Sequence, residues 1–171
     1  MMPGFRDRLS AFSSARLKMR VLNVGDAPSL QAITNDRSIT DVISFLDYPF
    51  GLDDARFLIA RLSTDQDCVF GIWTKSNSQL AGIVGAHQND MNRIEIGYWV
   101  GTSFQGQGIA YEAASALLAK IEGAIPGVDT FAECAPENGV SRHLLEKLGF
   151  RATGEDGVRA GRKLFAYAKR G

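Results

Sequence analysis

Gln105-Gly106-Gln107-Gly108-Ile109-Ala110 stands between a β-prone run, Arg93 to Val100, and an alanine- and leucine-rich run, Ala110 to Ile121. Glycines at the entry to a helix let the backbone approach a ligand closely and leave N–H groups facing outward. The helix N-terminus adds about half a positive charge and several unpaired donors, which suits a phosphate or pyrophosphate. Two familiar phosphate fingerprints fail here. The dinucleotide pattern G-x-G-x-x-G/A requires a small residue where Tyr111 stands, and a P-loop requires Gly-Lys-Ser/Thr where the chain has Gly108-Ile109-Ala110. An ordinary turn opening a helix is the bland alternative, because short glycine motifs match by chance.

Upstream, Arg16 to Leu22 alternates basic and apolar residues, the period of a strand with one buried face. Asp26 as N-cap and Pro28 in the first turn start a short helix carrying Leu30 and Ile33, and Asp53 or Asp54 caps a second one through Phe57, Leu58 and Leu62. Val69 to Lys75 and Leu80 to Ala86 form a hairpin across Ser76-Asn77-Ser78-Gln79. Downstream, Gly123, Pro126 and Gly127 end the long helix. Asp129 to Ala135 is a strand, Asn138 to Leu148 a helix closed by Gly149, and Arg151 to Gly154 and Lys163 to Lys169 are two last strands. The order β-α-α-β-β-β-α-β-α-β-β has no repeat or linker, so it predicts one α+β domain over residues 16–171 behind a leader at 1–15.

Composition removes several classes of function. The chain has 19 basic and 19 acidic residues in 171, so no net field draws it to a polyanion and no direct nucleic-acid partner is expected. No apolar run reaches the ~20 residues of a membrane span, and the N-terminus lacks the apolar core of a secretory signal, which predicts a cytoplasmic protein with no membrane partner. Its Arg- and Ser-rich opening, with Asp7 as the one acid up to Arg20, has the composition of a transit peptide; a basic leader into the first strand is the alternative. Cys68 and Cys134 form neither a CxxC pair nor a ligand cluster with His87 and His143, so we expect buried free thiols and no metal. The quaternary expectation is monomer or homodimer.

Gln105-x-x-Gly108-x-Ala110 resembles the Q/R-x-x-G-x-G/A signature with which GNAT N-acetyltransferases grip the pyrophosphate of coenzyme A. Glu95-Ile96-Gly97-Tyr98-Trp99-Val100 is similar to the family strand preceding it, and Tyr111-Glu112-Ala113 to the opening of its helix. Asn138-Gly139-Val140-Ser141, followed by Glu146-Lys147-Leu148-Gly149-Phe150, resembles the Asn-x-x-Ser…Glu-Lys-x-Gly-Phe pattern of the RimJ/RimL-type branch, ribosomal-protein-alanine N-acetyltransferases. The resemblance implies a GNAT fold, a mixed and mostly antiparallel sheet of about seven strands flanked by about four helices. It also implies acetyl-CoA as cosubstrate. Backbone groups of Tyr98, Trp99 and Val100 would then bind the pantetheine arm as an added strand. Gln105, Gly106, Gln107, Gly108, Ile109 and Ala110 would hold the pyrophosphate, with Asn138 a further pantetheine contact. Tyr98 and Trp99 are equally read as core residues, and Asn138 and Ser141 as caps of the helix they open.

Acetyl transfer to an amine needs a neutral nucleophile, a donor at the developing oxyanion and a proton for the departing thiolate. A backbone N–H near Tyr98 to Val100 is the candidate oxyanion donor. Glu95 is the first candidate base, directly or through water, with Glu133 and His87 in reserve; His143 falls within an amphipathic helix and reads as structural. Many GNAT enzymes carry a tyrosine acid where this chain has Leu145, so the resemblance moves that role to Ser141. The branch implies a protein or peptide N-terminal α-amine as acceptor. The alternatives are a small amine (polyamine, antibiotic or amino acid) and a non-catalytic acyl-CoA sensor, for which the missing tyrosine is the support.

Overall fold

The structure, a computed structural model, describes residues 3–62 and 64–168. Its chain order begins α1 (Phe5–Arg8), β1 (Phe12–Ser13), β2 (Leu17–Val21), α2 (Ala27–Thr34), α3 (Arg37–Thr40), α4 (Leu52–Arg61), β3 (Asp67–Thr74) and β4 (Leu80–Gln88). It continues β5 (Ile94–Val100), α5 (Ile109–Ala124), β6 (Thr130–Cys134), α6 (Gly139–Leu148), β7 (Phe150–Asp156) and β8 (Lys163–Tyr167). All eight strands form one sheet in the order β1-β2-β3-β4-β5-β6-β8-β7. Each neighbouring pair is antiparallel except β5 with β6. That parallel pair follows from its connection, since parallel neighbours need a long crossover and α5 provides it.

The sheet has a core on each face. α5 buries Ile109, Ala113, Ala114, Leu117, Leu118 and Ile121, a stripe at helical spacing, against one face. α2, α3 and α4 cover the other through Leu30, Ile39, Ala55, Leu58 and Ile59. Alternation along β5 distributes its side chains between the two: Ile94, Ile96, Tyr98 and Val100 join the α5 core, and Trp99 joins the α2–α4 cluster. Glu95 and Gly97 share the Trp99 face.

The single-domain α+β sheet agrees with the expected fold, with three local differences. Phe5 and Leu9, in the stretch read as a leader, are buried in the α5 core, and Phe12 packs edge-on against Phe70 at 5.1 Å, which adds α1 and the two-residue β1. Asp26 stands at the α2 N-cap, yet its carboxylate bonds Arg20 and the Asn23 N–H instead of the helix. At α4 the cap position is Gly51, and Asp54 accepts the Gly51 N–H at 2.7 Å, so the acid acts from the first turn. The last strand ends at Tyr167; Lys169, like Met1, Met2, Arg170 and Gly171, lies outside the described residues.

One tie fastens the N-terminal strands to α5. Glu112 accepts Ser14 Oγ at 2.6 Å, Arg16 N–H at 2.8 Å and Arg16 Nε at 2.6 Å. Burial by itself would raise the Glu112 carboxyl, but these hydrogen bonds and the Arg16 charge outweigh it and hold it below the usual carboxylate range. A depressed folded-state pKa stabilises above the unfolded value, ~4.3, and that stabilisation fades as pH falls through the lower folded value. Glu112→Gln is therefore expected to cost about 1–2 kcal/mol at pH 7, or ~2–8 °C in Tm. Thermal melts across pH check this: the gap from wild type should close in acid, and an equal gap at pH 7 and pH 3 would rule the charge out.

Candidate active site

The glycine turn is built for an exposed backbone. Gly106 and Gly108 both sit at φ +76°, a left-handed conformation costly for other residues. A Cβ built on Gly106 meets nothing within 4 Å, and one on Gly108 meets Arg16 Nη2 at 3.5 Å. Gln105 Nε2 donates to the Val100 carbonyl at 3.0 Å, which binds the turn to the end of β5, and Gln107 Nε2 donates to the Ser103 carbonyl at 3.3 Å, which braces the turn internally. Ile109 is buried and pins the start of α5. The leading N–H groups of a helix have no intrahelical partner, and here they open beside a recess of about 560 Å³ lined by Ser14, Arg16, Tyr111 and Glu112. Space for phosphate, free donors and a cation coincide.

β5 and β6 pair only at Ile94–Thr130 and Glu95–Phe131. Beyond Glu95 they part, leaving one edge of Gly97 to Val100 without a strand partner. Such an edge binds an extended amide-bearing arm by backbone pairing, and the exposed Gly97, with nothing near its missing Cβ, keeps the approach clear.

On the α5 side of this split lie Tyr98, Cys134 and the start of α6. Asn138 caps α6 by accepting the Ser141 N–H at 3.2 Å. The Tyr98 hydroxyl lies 3.3 Å from Ser141 Oγ. Burial pushes the Tyr98 phenol up to about 12, with the Ser141 hydrogen bond opposing it, so it stays protonated at neutral pH. Burial raises the Cys134 thiol as well. Leu145 is 1% exposed and belongs to the core. A tyrosine hydroxyl thus reaches the head of α6 from β5, a contact between residues 43 apart in sequence.

On the opposite face, Glu95 of β5 and Glu133 of β6 flank the split and share one cation. Arg159, in the turn between β7 and β8, donates through Nη1 to Glu95 and, at 2.9 Å, to Glu133. Glu133 has a side chain only 1% exposed and also accepts the N–H groups of Val158 and Arg159. Burial works against the Arg159 charge, and the hydrogen bond and charge of Glu95, then those of Glu133, overcome it and raise its pKa. Gly157 leaves room for this carboxylate: a Cβ there would lie 2.6 Å from the Glu133 carboxyl carbon and displace it. His87 pairs with Glu95 in the β4–β5 register, but its ring is engaged by Asp67 at 2.5 Å. His143 is exposed on α6. Trp99 donates Nε1 to Thr34 Oγ1 at 3.3 Å and meets Phe45 edge-on at 6.0 Å.

The sequence matches the acetyltransferase (GNAT) domain family over residues 16–151. The chain belongs to the GNAT acetyltransferase family. This GNAT enzyme shares its fold with solved structures at low identity. A GNAT-family acetyltransferase from Bacillus anthracis aligns at 22% identity and TM-score 0.80 over 91% of this chain and 96% of its own. RimL, a ribosomal L7/L12 alpha-N-protein acetyltransferase in complex with coenzyme A, aligns at 18% identity and TM-score 0.80 over 92% and 97%. The microcin C7 self-immunity acetyltransferase MccE, in complex with acetyl-CoA and AMP, aligns at 19% identity and TM-score 0.78 over 91% and 94%. A search of curated proteins gave no match.

The enzyme is an acetyl-CoA-dependent N-acetyltransferase. The structure brings Glu95, Tyr98 and Ser141 to one split, with the carboxylate and the hydroxyl pair on opposite faces, and places Gln105 to Ala110 at its end. The Gly154 to Arg162 loop reads in sequence as an acceptor loop of mixed charge, but the Arg159 contact with Glu95 and Glu133, the carboxylate-binding Gly157 turn and the Tyr98–Ser141 contact are not legible there. One signal was present: Glu133 is the lone acid in the apolar strand Thr-Phe-Ala-Glu-Cys, and a buried acid requires a partner. Among the described residues there is no His/Cys/Asp/Glu group able to hold a metal, and no helix long and apolar enough to cross a membrane.

Proposed function

We propose that this enzyme acetylates the N-terminal α-amine of a protein or peptide in a ternary complex with acetyl-CoA, in the cytoplasm. The observation that carries the reading is the state of Glu95. It is the acid of the split with the more exposed side chain, 17% against 1% for Glu133, and it is already paired with Arg159. A carboxylate so engaged suits an acceptor that needs little help. An α-amine with pKa near 8 is roughly 10% neutral at pH 7, whereas a lysine near 10.4 is below about 0.1% neutral. The RimL neighbour, an alpha-N-protein acetyltransferase, supports the same acceptor. So do Val42, Phe45 and Val158, exposed apolar residues on the two loops around the Glu95 face, where a peptide chain would lie.

The donor site fits the residues present. Gln107 to Ala110 would hold the pyrophosphate through backbone N–H groups at the α5 N-terminus, with Arg16 beside them. The free edge of Tyr98, Trp99 and Val100 would pair with the pantetheine, and Asn138 would add a contact from the head of α6. Bound there, acetyl-CoA supplies the activated thioester acyl group. Glu95, directly or through one water, takes the proton of the incoming amine. An N–H of the Tyr98 to Val100 edge faces the developing oxyanion. Ser141 Oγ donates a hydrogen bond to the departing thiolate, which takes its proton from solvent, and Tyr98, kept protonated by burial and hydrogen-bonded to Ser141, holds that hydroxyl in place.

A peptide panel tests the acceptor. Peptides with a free α-amine should outperform the same peptides blocked at the α-amine but carrying lysine, with mass spectrometry locating the acetyl group. Acetylation confined to lysine, or to small amines without peptide turnover, would reject the assignment.

A further inference from the structure

We propose that Arg159 is a specificity-determining residue of the acceptor side: its guanidinium occupies the cation position on Glu95, and the acceptor enters as an ammonium by taking that position. The inference deepens the amine-acetylation reading and rests on it for the identity of the cleft.

The fold delivers Arg159 to this position. Glu133 accepts the N–H groups of Val158 and Arg159, and Gly157 leaves room for its carboxylate, so the β7–β8 turn is fastened to β6. Arg162 Nη2 donates to the Val42 carbonyl at 2.7 Å and ties the same turn to the segment between α3 and α4. With both ends held, the Arg159 side chain reaches across the split to Glu95.

The two acids differ in what they can release. Glu133 is held by backbone groups as well as by Arg159, and its buried side chain cannot lose them without moving the turn. Glu95 has Arg159 as its single polar partner among the described residues, and the Arg159 side chain is 40% exposed. A partly exposed ion pair is weak. The Arg159–Glu95 contact can therefore exchange while the Arg159–Glu133 contact keeps the turn in place. Charge selects what replaces it. Two carboxylates share one guanidinium, so the Glu95–Arg159–Glu133 trio carries one net negative charge and favours a cation beside Glu95, while Arg93 is stacked over Phe131 and Arg162 is bound to the Val42 carbonyl.

In that exchange an acceptor ammonium meets Glu95 directly, in position to lose its proton there, and Arg159 retreats onto Glu133. Arg159 thus competes with the acceptor, which predicts a change in KM more than in kcat. Arg159→Ala should lower KM for an amine acceptor roughly two- to fivefold, the range expected from a weak ion pair. Methylguanidinium should then inhibit that variant competitively against the acceptor and leave wild type little affected, while Arg159→Lys should keep a wild-type KM. A lowered kcat that methylguanidinium rescues would make Arg159 part of the catalytic geometry and overturn the proposal, as would an unchanged KM.

A second arm needs no turnover. In protein labelled with 15N-arginine, the Arg159 Nε–H resonance should shift saturably with n-butylammonium chloride and not with sodium chloride or sodium butyrate. A response to butyrate would show that Arg159 reads an acceptor carboxylate, and no response to any of the three would make the ion pair a bystander; either result rejects the idea. If no amine is acetylated but butylammonium still moves the Arg159 signal, the acceptor assignment fails and the cation subsite stands. Unchanged acetyl-CoA affinity in Arg159→Ala guards against reading a folding defect as a change in KM.

Discussion

Glu95→Gln is expected to slow turnover ~10²–10⁴-fold at neutral pH, the usual contribution of a positioned general base. Glutamine keeps the size of the side chain and still accepts a hydrogen bond from Arg159, so the β7–β8 turn should stay in place and acetyl-CoA affinity should change little. Part of the loss should return above pH ~8, where an α-amine arrives mostly neutral. Ser141→Ala gives the complementary profile. Without its hydroxyl the buried Tyr98 phenol keeps only the Ser141 carbonyl, at 3.5 Å, and thiolate departure should be slow at every pH below the thiol pKa, ~8.5. Rates measured against pH for both variants separate the two faces of the split. Wild-type turnover by Glu95→Gln at pH 7 would remove the carboxylate from the mechanism.

Gly108→Val is expected to weaken acetyl-CoA binding by on the order of 10²–10³-fold, read by calorimetry. At φ +76° a non-glycine residue pays about 1–2 kcal/mol, and more when β-branched. The variant turn relaxes in the free enzyme, and the ligand must then restore it. The relaxed turn also misdirects N–H groups whose charge-assisted bonds to phosphate are each worth ~1.5–3 kcal/mol. The new side chain further points toward Arg16 Nη2, 3.5 Å from the Cβ position. The effect should fall on the donor: thermal stability changes modestly, because Ile109 still pins α5. Undiminished affinity in a folded Gly108→Val protein would refute the pyrophosphate site.

The elements were legible where local chemistry decides them. Ala110 to Ile121 is a run of strong helix formers, the Arg16 to Leu22 stretch alternates, and two glycines before a helix demand left-handed backbone. The structure returns α5, β2 and the φ +76° turn from those signals. Capping was less legible. Asp26 and the pair Asp53 and Asp54 read as acids at helix starts, but a carboxylate within reach of several donors chooses among them by three-dimensional position: Arg20 takes Asp26, and Asp54 accepts the Gly51 N–H.

The family, the α+β domain and the glycine turn ahead of α5 are each encoded by residues within a few positions of one another, so they are legible along the chain. The remainder of the candidate site comes from contacts made only in three dimensions. The split exists because β6 leaves β5 after two residue pairs, a property of how strands twist and pack rather than of any residue in them. Tyr98 meets Ser141 across 43 positions, and Arg159 meets Glu95 across 64. Periodicity and spacing carry no information at such separations. The energy that selects these contacts is the cost of leaving a phenol, a guanidinium and two carboxylates half-buried without partners, and that cost arises only once the sheet has closed around them.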